Sequence, residues 1–558
     1  MQLVAQGQQN VILNGNPSKS FWKSSYAKYT NFGLQRFRLD HEGTPSLRLT
    51  EESTFTFKVK RYADLLMDCY LSVTLPNIWS PIMPPQPKPQ VNPGDPIEYT
   101  TWAAYEFKWI EDLGAQMISK ISITCGNQTI QEYSGRYLLA SVQRDVGKKG
   151  LFDEMSGNTA EFNDPANDRA HVNSYPNSYY TDSPAGAQPA IKSKAIYVPL
   201  GAWFNMRSTM AFPLVALQYN ELQVSITFRP LCELFRIRDV LDWTNNFPYV
   251  APNFNLDYMQ MYRFLQTPPT EDIRSPNVYD DKRTDWNADI NLSCTYCFLS
   301  NDEAKLFAKN EQKYLFKQAR ESVFYNVTGQ NKVDLNSMGL VSGWMFYFQR
   351  SDANLRNEWS NYTNWPYNYV PIDSTPGSAG GAVIRPSPVP NDPDIYIGPG
   401  VNVDGTPTGL FVSGPYSPQN TKEILVGLGI LMDGQYRENI LPVGVFNYIE
   451  KYTRTASVAP EGVYCYNFCL NSGPSDQPSG AMNMNKFKNV QFEFTTITPP
   501  LDPLAQSLTI CDPQTGEIVG INKPTWRIFD YNYNLYVMEE RYNVVTFIGG
   551  NAGLLYAT

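Results

Sequence analysis

Histidine is almost missing from this 558-residue chain: His41 and His171 are the only two. Neither sits in a pattern with Cys, Asp or Glu that would complete a triad, and two imidazoles are too few for most zinc hydrolases unless other ligands complete the set. No phosphate-cradling glycine loop, GxSxG elbow or HExxH helix occurs. Gly549-Gly-Asn-Ala-Gly553 is glycine-rich, but no strand-to-helix pattern follows it, so it reads as a turn packing the last strand. The adjacent acids Glu51-Glu52, Asp280-Asp281 and Glu539-Glu540 suggest a glycosidase pair only superficially. Neighbouring side chains on a strand point apart, and solvated faces account for them. No catalytic residue, cofactor or metal ligand is expected, and the chain reads as a non-enzyme.

Charge is also scarce. Charged residues make up 18 % of the chain and the net charge is −9, which argues against a broad phosphate-binding surface and direct genome binding. Met1–Leu39 is the exception, with Lys19, Lys23, Lys28, Arg36 and Arg38 and no acid. It reads as a solvated segment, or as a basic assembly arm meeting an acidic protein neighbour or an anionic lipid surface. No apolar run is long enough to cross a bilayer, and no charged n-region precedes an apolar stretch at the N-terminus. The expectation is a protein made and kept in the cytoplasm, or released only by lysis. Its eight cysteines are accordingly expected to be free thiols. Cys294 and Cys297 resemble a CxxC, but in a strand pattern positions three apart face opposite ways.

What is abundant points to β-structure. Aromatics reach 14 %, with 42 Pro and 36 Gly, a mixture suited to pleated, half-buried surfaces joined by many turns. Alternating apolar runs cover Phe55–Val59, Met67–Leu75, Ile121–Cys125, Leu222–Phe228, Val341–Phe348, Ile424–Met432, Val463–Leu470 and Val490–Thr495. Helical signals are few: a capping-box spacing at Ser300–Glu303, and a possible helix over Tyr137–Val146. Long loops fill residues 76–101, 146–193 and 351–422. The last carries Trp359, Tyr362, Trp365, Tyr367 and Tyr369, which argue for ordered surface structure.

The two halves resemble each other. Ile123–Gln128 parallels Leu431–Gln435, and the course from Tyr197 to Leu222–Phe228 parallels that from Tyr466 to Val490–Phe494. The offset is 269 residues at Tyr197 and Tyr466 and 268 at Leu222 and Val490. Such constancy predicts two similar β-sandwiches in tandem, with the Ser300 helix between them.

Several segments, in order, resemble the major capsid proteins of nucleocytoplasmic large DNA viruses. They are Leu3–Gly7, Leu13–Pro17, Phe21-Trp-Lys23 and Tyr29–Phe32 near the start, Phe212–Tyr219, Gln477–Gly480 with Asn483, and Tyr542–Val545 with Gly549–Tyr556 at the end. Trp22, Asn10 and Ala481-Met482 depart from the usual pattern. The resemblance implies an all-β fold of two tandem eight-stranded antiparallel jelly rolls with long loop insertions and a few short helices. It divides the chain into an extended N-terminal arm (1–24), a first jelly roll (25–300), a linker helix (301–310) and a second jelly roll (311–558). It further implies a structural subunit that forms homotrimeric, pseudo-hexagonal capsomers and an icosahedral virion shell assembled in the host cytoplasm. The implied partners are further trimers, penton and minor capsid proteins, and the surface of an internal viral membrane. The long loops would then form an outer tower whose aromatic side chains bury surface within or between trimers.

Asn127, Asn291, Asn326 and Asn361 sit in Asn-x-Ser/Thr sequons; Asn361 and Asn326 are the glycosylation candidates. Two other readings stay open. A carbohydrate-binding or carbohydrate-cleaving β-sandwich would use exposed Trp and Tyr, but calls for secretion and disulfides or calcium. A double jelly-roll scaffold that shapes a viral membrane would share the fold and leave the mature particle.

Overall fold

The computed structural model describes residues 7–43, 46–85, 87–88, 94, 96–99, 103–168, 171, 174–179, 186–242, 249–269, 278–365, 398–401, 407–412, 421–473, 477–499, 508–511, 518–522 and 531–556. Within them the alternating runs become strands. In the first half these are β1 (Phe32–Asp40), β2 (Ser53–Lys58), β3 (Leu65–Leu75), β4 (Ile118–Cys125), β5 (Gln128–Tyr133), β6 (Lys194–Pro199), β7 (Leu222–Phe228) and β8 (Asn291–Leu299). They form two antiparallel sheets, ordered β1-β8-β3-β6 and β2-β7-β4-β5. The period-2 pattern explains the pairing. Leu222, Val224, Ile226 and Phe228 of β7 are buried, while Gln223, Ser225 and Thr227 between them are only half-buried.

The second half repeats this plan. Its strands are β9 (Gln312–Phe324), β10 (Gln330–Leu335), β11 (Leu340–Arg350), β12 (Leu425–Met432), β13 (Gln435–Pro442), β14 (Val463–Asn467), β15 (Val490–Thr496) and β16 (Tyr533–Ile548). The sheet orders, β9-β16-β11-β14 and β10-β15-β12-β13, are those of the first half strand for strand. Even the irregularities match. The β4–β5 hairpin turns at Gly126-Asn127 and the β12–β13 hairpin at Asp433-Gly434, and each slips register one pair beyond the turn-adjacent residues. Positive φ at Asp433 (51°) and Gly434 (81°) fits the tight turn that Asp-Gly favours between twisted strands.

Each pair of sheets encloses an apolar core. In the second half Trp344 stands edge-on to Phe492 (ring centroids 5.2 Å apart) and Phe468 (4.8 Å), contacts worth about 0.5–1.5 kcal/mol each beyond area burial. The Trp344 indole N–H donates to Glu539 Oε2 at 2.9 Å, so its polar edge is satisfied inside the core.

Helices are short. The Tyr137–Val146 expectation corresponds to α1 (Gly135–Asp145), capped by Ser134 Oγ accepting from the Tyr137 amide. The 146–193 stretch, read as loop, instead contains α2 (Lys149–Ser156) and a turn of helix at Ala160–Asn163. Both are too short for a clear 3.6-residue period, and they form because Phe152 and Phe162 are buried by tertiary packing. Between the halves runs α3 (Asn301–Lys309), where Ser300 is the N-cap residue. The Ser300 hydroxyl reaches the Glu303 carboxylate at 3.3 Å rather than a backbone amide, so the full reciprocal capping box is not formed.

Candidate assembly surfaces

The two halves meet through a buried junction. α1 follows β5 and lies against β9, β11 and β16 of the second half. Arg144 Nη2 donates to Glu540 Oε1 at 2.6 Å, Tyr137 Oη donates to the same oxygen at 3.1 Å, and Lys317 Nζ reaches Glu540 Oε2 at 3.3 Å. Burial alone would raise the Glu540 carboxyl, but the Arg144 and Lys317 charges outweigh it and hold it well below the usual carboxylate range. At the rim Ser134 donates to Glu321, and the β5 and β9 edges exchange side-chain amide bonds, Gln131 to the Lys317 carbonyl and Gln318 to the Ile130 carbonyl. Trp203, after β6, packs on Tyr314 and Phe316.

The aromatic loop closes the same junction. Trp359 Nε1 donates to the Glu233 carbonyl, and Arg136 and Arg229 stack over its ring at 5.5 and 4.5 Å. Tyr362 is buried against Tyr347, and the Gln116 amide reaches its hydroxyl. These two side chains therefore bind the halves of one chain together instead of projecting into an outer tower. Their packing partners lie more than a hundred residues away or across a strand, and no local pattern reports them. Tyr367 and Tyr369 fall outside the described residues. A buried ion cluster anchors the loop: Asp352 bridges Arg350 and Arg356, which also pairs with Glu358.

Glu539 and Glu540 occupy opposite faces, as adjacent strand residues must, yet both are buried rather than solvated. Glu539 faces Trp344, Ser337 and Arg541, while Glu540 faces the junction. Paired cations and donors make that burial tolerable.

The basic residues of the N-terminus separate into two groups. Lys19, Lys23 and Lys28 are exposed and precede β1, in a segment that bares Phe21, Trp22, Tyr26 and Tyr29 to solvent. Arg36 and Arg38 belong instead to β1, and Arg38 is bonded to Asp40 and Asp289 at 2.7 and 2.6 Å. Counting charge along the sequence merged an arm with the first strand of a sheet. Asn326 is exposed in the β9–β10 turn with φ of 58°. Asn361 is half-buried, and its amide already donates to the Trp365 carbonyl at 2.7 Å. Asn291 is buried in β8.

Seven cysteines are free among the described residues; the side chain of Cys511 lies outside them. Cys294 packs in the main core against Cys69 at 3.2 Å, whereas Cys297 joins a separate cluster with Leu65 and Ala211 on the other face. No group of three or more metal-ligating side chains occurs among the described residues, and no helix there is long and apolar enough to cross a membrane.

Residues 20–263 match the family model described as "Major capsid protein N-terminus". Over its whole length the chain is 23 % identical to the major capsid protein of Phaeocystis pouchetii virus, covering 99 % of that protein. It is 22 % identical to that of Paramecium bursaria Chlorella virus 1, across all of this chain and 98 % of the relative. Along its whole length this chain is thus similar to the major capsid proteins of large DNA viruses. The fold agrees: the Faustovirus major capsid protein superposes with a TM-score of 0.59, covering 94 % of this chain and 92 % of the other at 12 % identity. The doubled strand order is thus that of the double jelly-roll capsid proteins. What the chain offers chemically is surface: a buried junction between its halves, an exposed N-terminal segment and sheet edges such as β1 and β13.

Proposed function

We propose that three copies of this capsid protein associate into a pseudo-hexagonal capsomer, and that such trimers tile an icosahedral shell around the double-stranded DNA. The observation that carries this reading is the strand-for-strand duplication joined by a buried junction. Two similar sandwiches side by side, taken three times, make six around one axis, and a near-hexagonal block tiles a flat lattice through similar contacts. On this reading five-fold vertices need a separate penton protein, because a six-part block does not fit there. The units are the arm (1–24), the first jelly roll (25–300), the linker (301–310) and the second jelly roll (311–558).

The arm is assigned to the base of the capsomer. Its exposed lysines Lys19, Lys23 and Lys28, interleaved with bare aromatic rings, suit a minor capsid protein or the anionic surface of an internal membrane. Arg36 and Arg38 would act there only from the edge of β1. Binding to the genome, catalysis and bound cofactors are not part of the proposal, and assembly is assigned to the host cytoplasm. Of the glycosylation candidates, the exposed turn at Asn326 is the more accessible, since Asn361 would first have to release its amide bond.

Light scattering on the purified protein should give three times the chain mass. Deleting residues 1–24 should leave that trimer intact yet prevent stable incorporation into particles. A monomeric full-length protein would overturn the capsomer, and normal incorporation of the truncated form would overturn the role of the arm.

A further inference from the structure

The duplication has one unequal feature. The surfaces that close the junction inside the chain each have a counterpart in the other half, and both counterparts are bare. In the first half β5 buries Ile130 and Gln131 along β9, and α1 buries Tyr137, Leu138 and Arg144. The equivalent edge β13 is exposed at Tyr436, Arg437 and Ile440, and the helical segment after it (Val445–Ile449 continuing through Glu450–Arg454) bares Tyr448, Ile449 and Tyr452. On the receiving side β9 has Phe316 buried beneath Trp203. Its counterpart β1 leaves Phe32 and Leu34 half exposed, with Phe298 of β8 beside them.

We infer that the β13 edge and the Val445–Arg454 helical segment dock on the β1–β8 face of a second copy of this chain, repeating between molecules the contact made once within each. The inference rests on the trimeric reading and adds which surface meets which. Each chain carries one unfilled surface of each kind, so the contact is head-to-tail and must close into a ring or run on as a chain. Large apolar side chains clustered on both surfaces supply what such an interface buries at its centre. A second copy is favoured over an unrelated partner because the complementary surface is already part of this molecule.

Two variants test it, both at exposed positions and both checked for native melting: Ile449→Glu with Tyr452→Glu on the helical segment, and Leu34→Glu on β1. Each alone should be monomeric by light scattering. Mixed in equal amounts they should form a one-to-one dimer and nothing larger, because only one native contact can form between them. If wild type is trimeric and both variants remain so, the surface assignment is wrong while the capsomer stands. A mixture that stays monomeric overturns the pairing of these two surfaces. A monomeric wild type overturns the capsomer and the inference with it. Should either variant melt early, Tyr448→Glu and Phe32→Glu test the same two surfaces.

Discussion

Arg144 Nη2 and Glu540 Oε1 meet at 2.6 Å across the junction of the two jelly rolls, with only 1 % and 2 % of their side chains exposed. One residue lies on a helix of the first half and the other on the longest strand of the second. Replacing Arg144 by Ala should leave a buried carboxylate with only Lys317 and Tyr137 to compensate it. Loss of one partner of a buried pair costs about 3–5 kcal/mol. Urea unfolding should show the midpoint fall accordingly, and an unchanged midpoint would mean that the junction does not depend on this pair.

Acid should act on the protein in two opposite ways. Burial alone would raise the Asp352 carboxyl, but Arg350 and Arg356 overcome it and hold it at about 2; Glu540 is lowered likewise. An unfolded carboxyl titrates near ~4, so these groups contribute stability that is complete above that pH and is lost as the pH falls toward about 2. Asp112 behaves in reverse, because burial pushes it up to about 6. The folded state then binds the extra proton between ~4 and 6, and stability rises as the pH falls through that window. Urea midpoints measured from neutral pH downward should climb slightly, then collapse. Asp112→Asn should diminish the climb, to which the carboxyls of Asp68, Asp239, Glu423 and Glu450, also raised by burial, contribute, and should leave the collapse.

Thiol titration of denatured, unreduced protein should return all eight cysteines. Cys69 and Cys294 face each other directly in the β3–β8 register with their sulfurs 3.2 Å apart, so they are the pair to watch. A count of six would show that one pair of thiols had been oxidised.

Gly135 begins α1 where the backbone of Ala115 and Ile118 passes close by. A Cβ there would lie 2.0 Å from the Ala115 carbonyl oxygen and 2.6 Å from that of Ile118. Gly135→Ala should push α1 away from its seat and cost about 1–3 kcal/mol, as overpacking does. Differential scanning calorimetry would read the loss; an unshifted melting temperature would mean that the backbone relaxes freely at this point.

Much of the architecture could be read locally. Alternation in Leu222–Phe228 and Val490–Thr495 marked strands within a residue of their observed ends, because a period of two records directly which face a strand buries. The near-constant offset between Tyr197 and Tyr466 and between Leu222 and Val490 marked the duplication. It survives because equivalent positions in two copies of one sheet order meet the same packing demands. Val463–Leu470 was legible only in part. The strand ends at Asn467, although the apolar residues continue to Leu470, because past Gly343 the edge of β11 pairs with Met482 and Asn483 instead.

The sequence by itself determined that this chain would form two antiparallel sandwiches in tandem, since strand periodicity and turn residues act over a few neighbours. Tertiary structure alone decided what covers each face. It turned Trp359 and Tyr362 inward, set Arg36 and Arg38 into a paired strand, and buried Glu539 and Glu540 in separate networks. The reason is physical. A residue's alternation tells whether its face is buried, but the cost of burying a charge or a polar edge is settled by the partner that reaches it. Here Arg144 reaches Glu540 from 396 residues away along the chain.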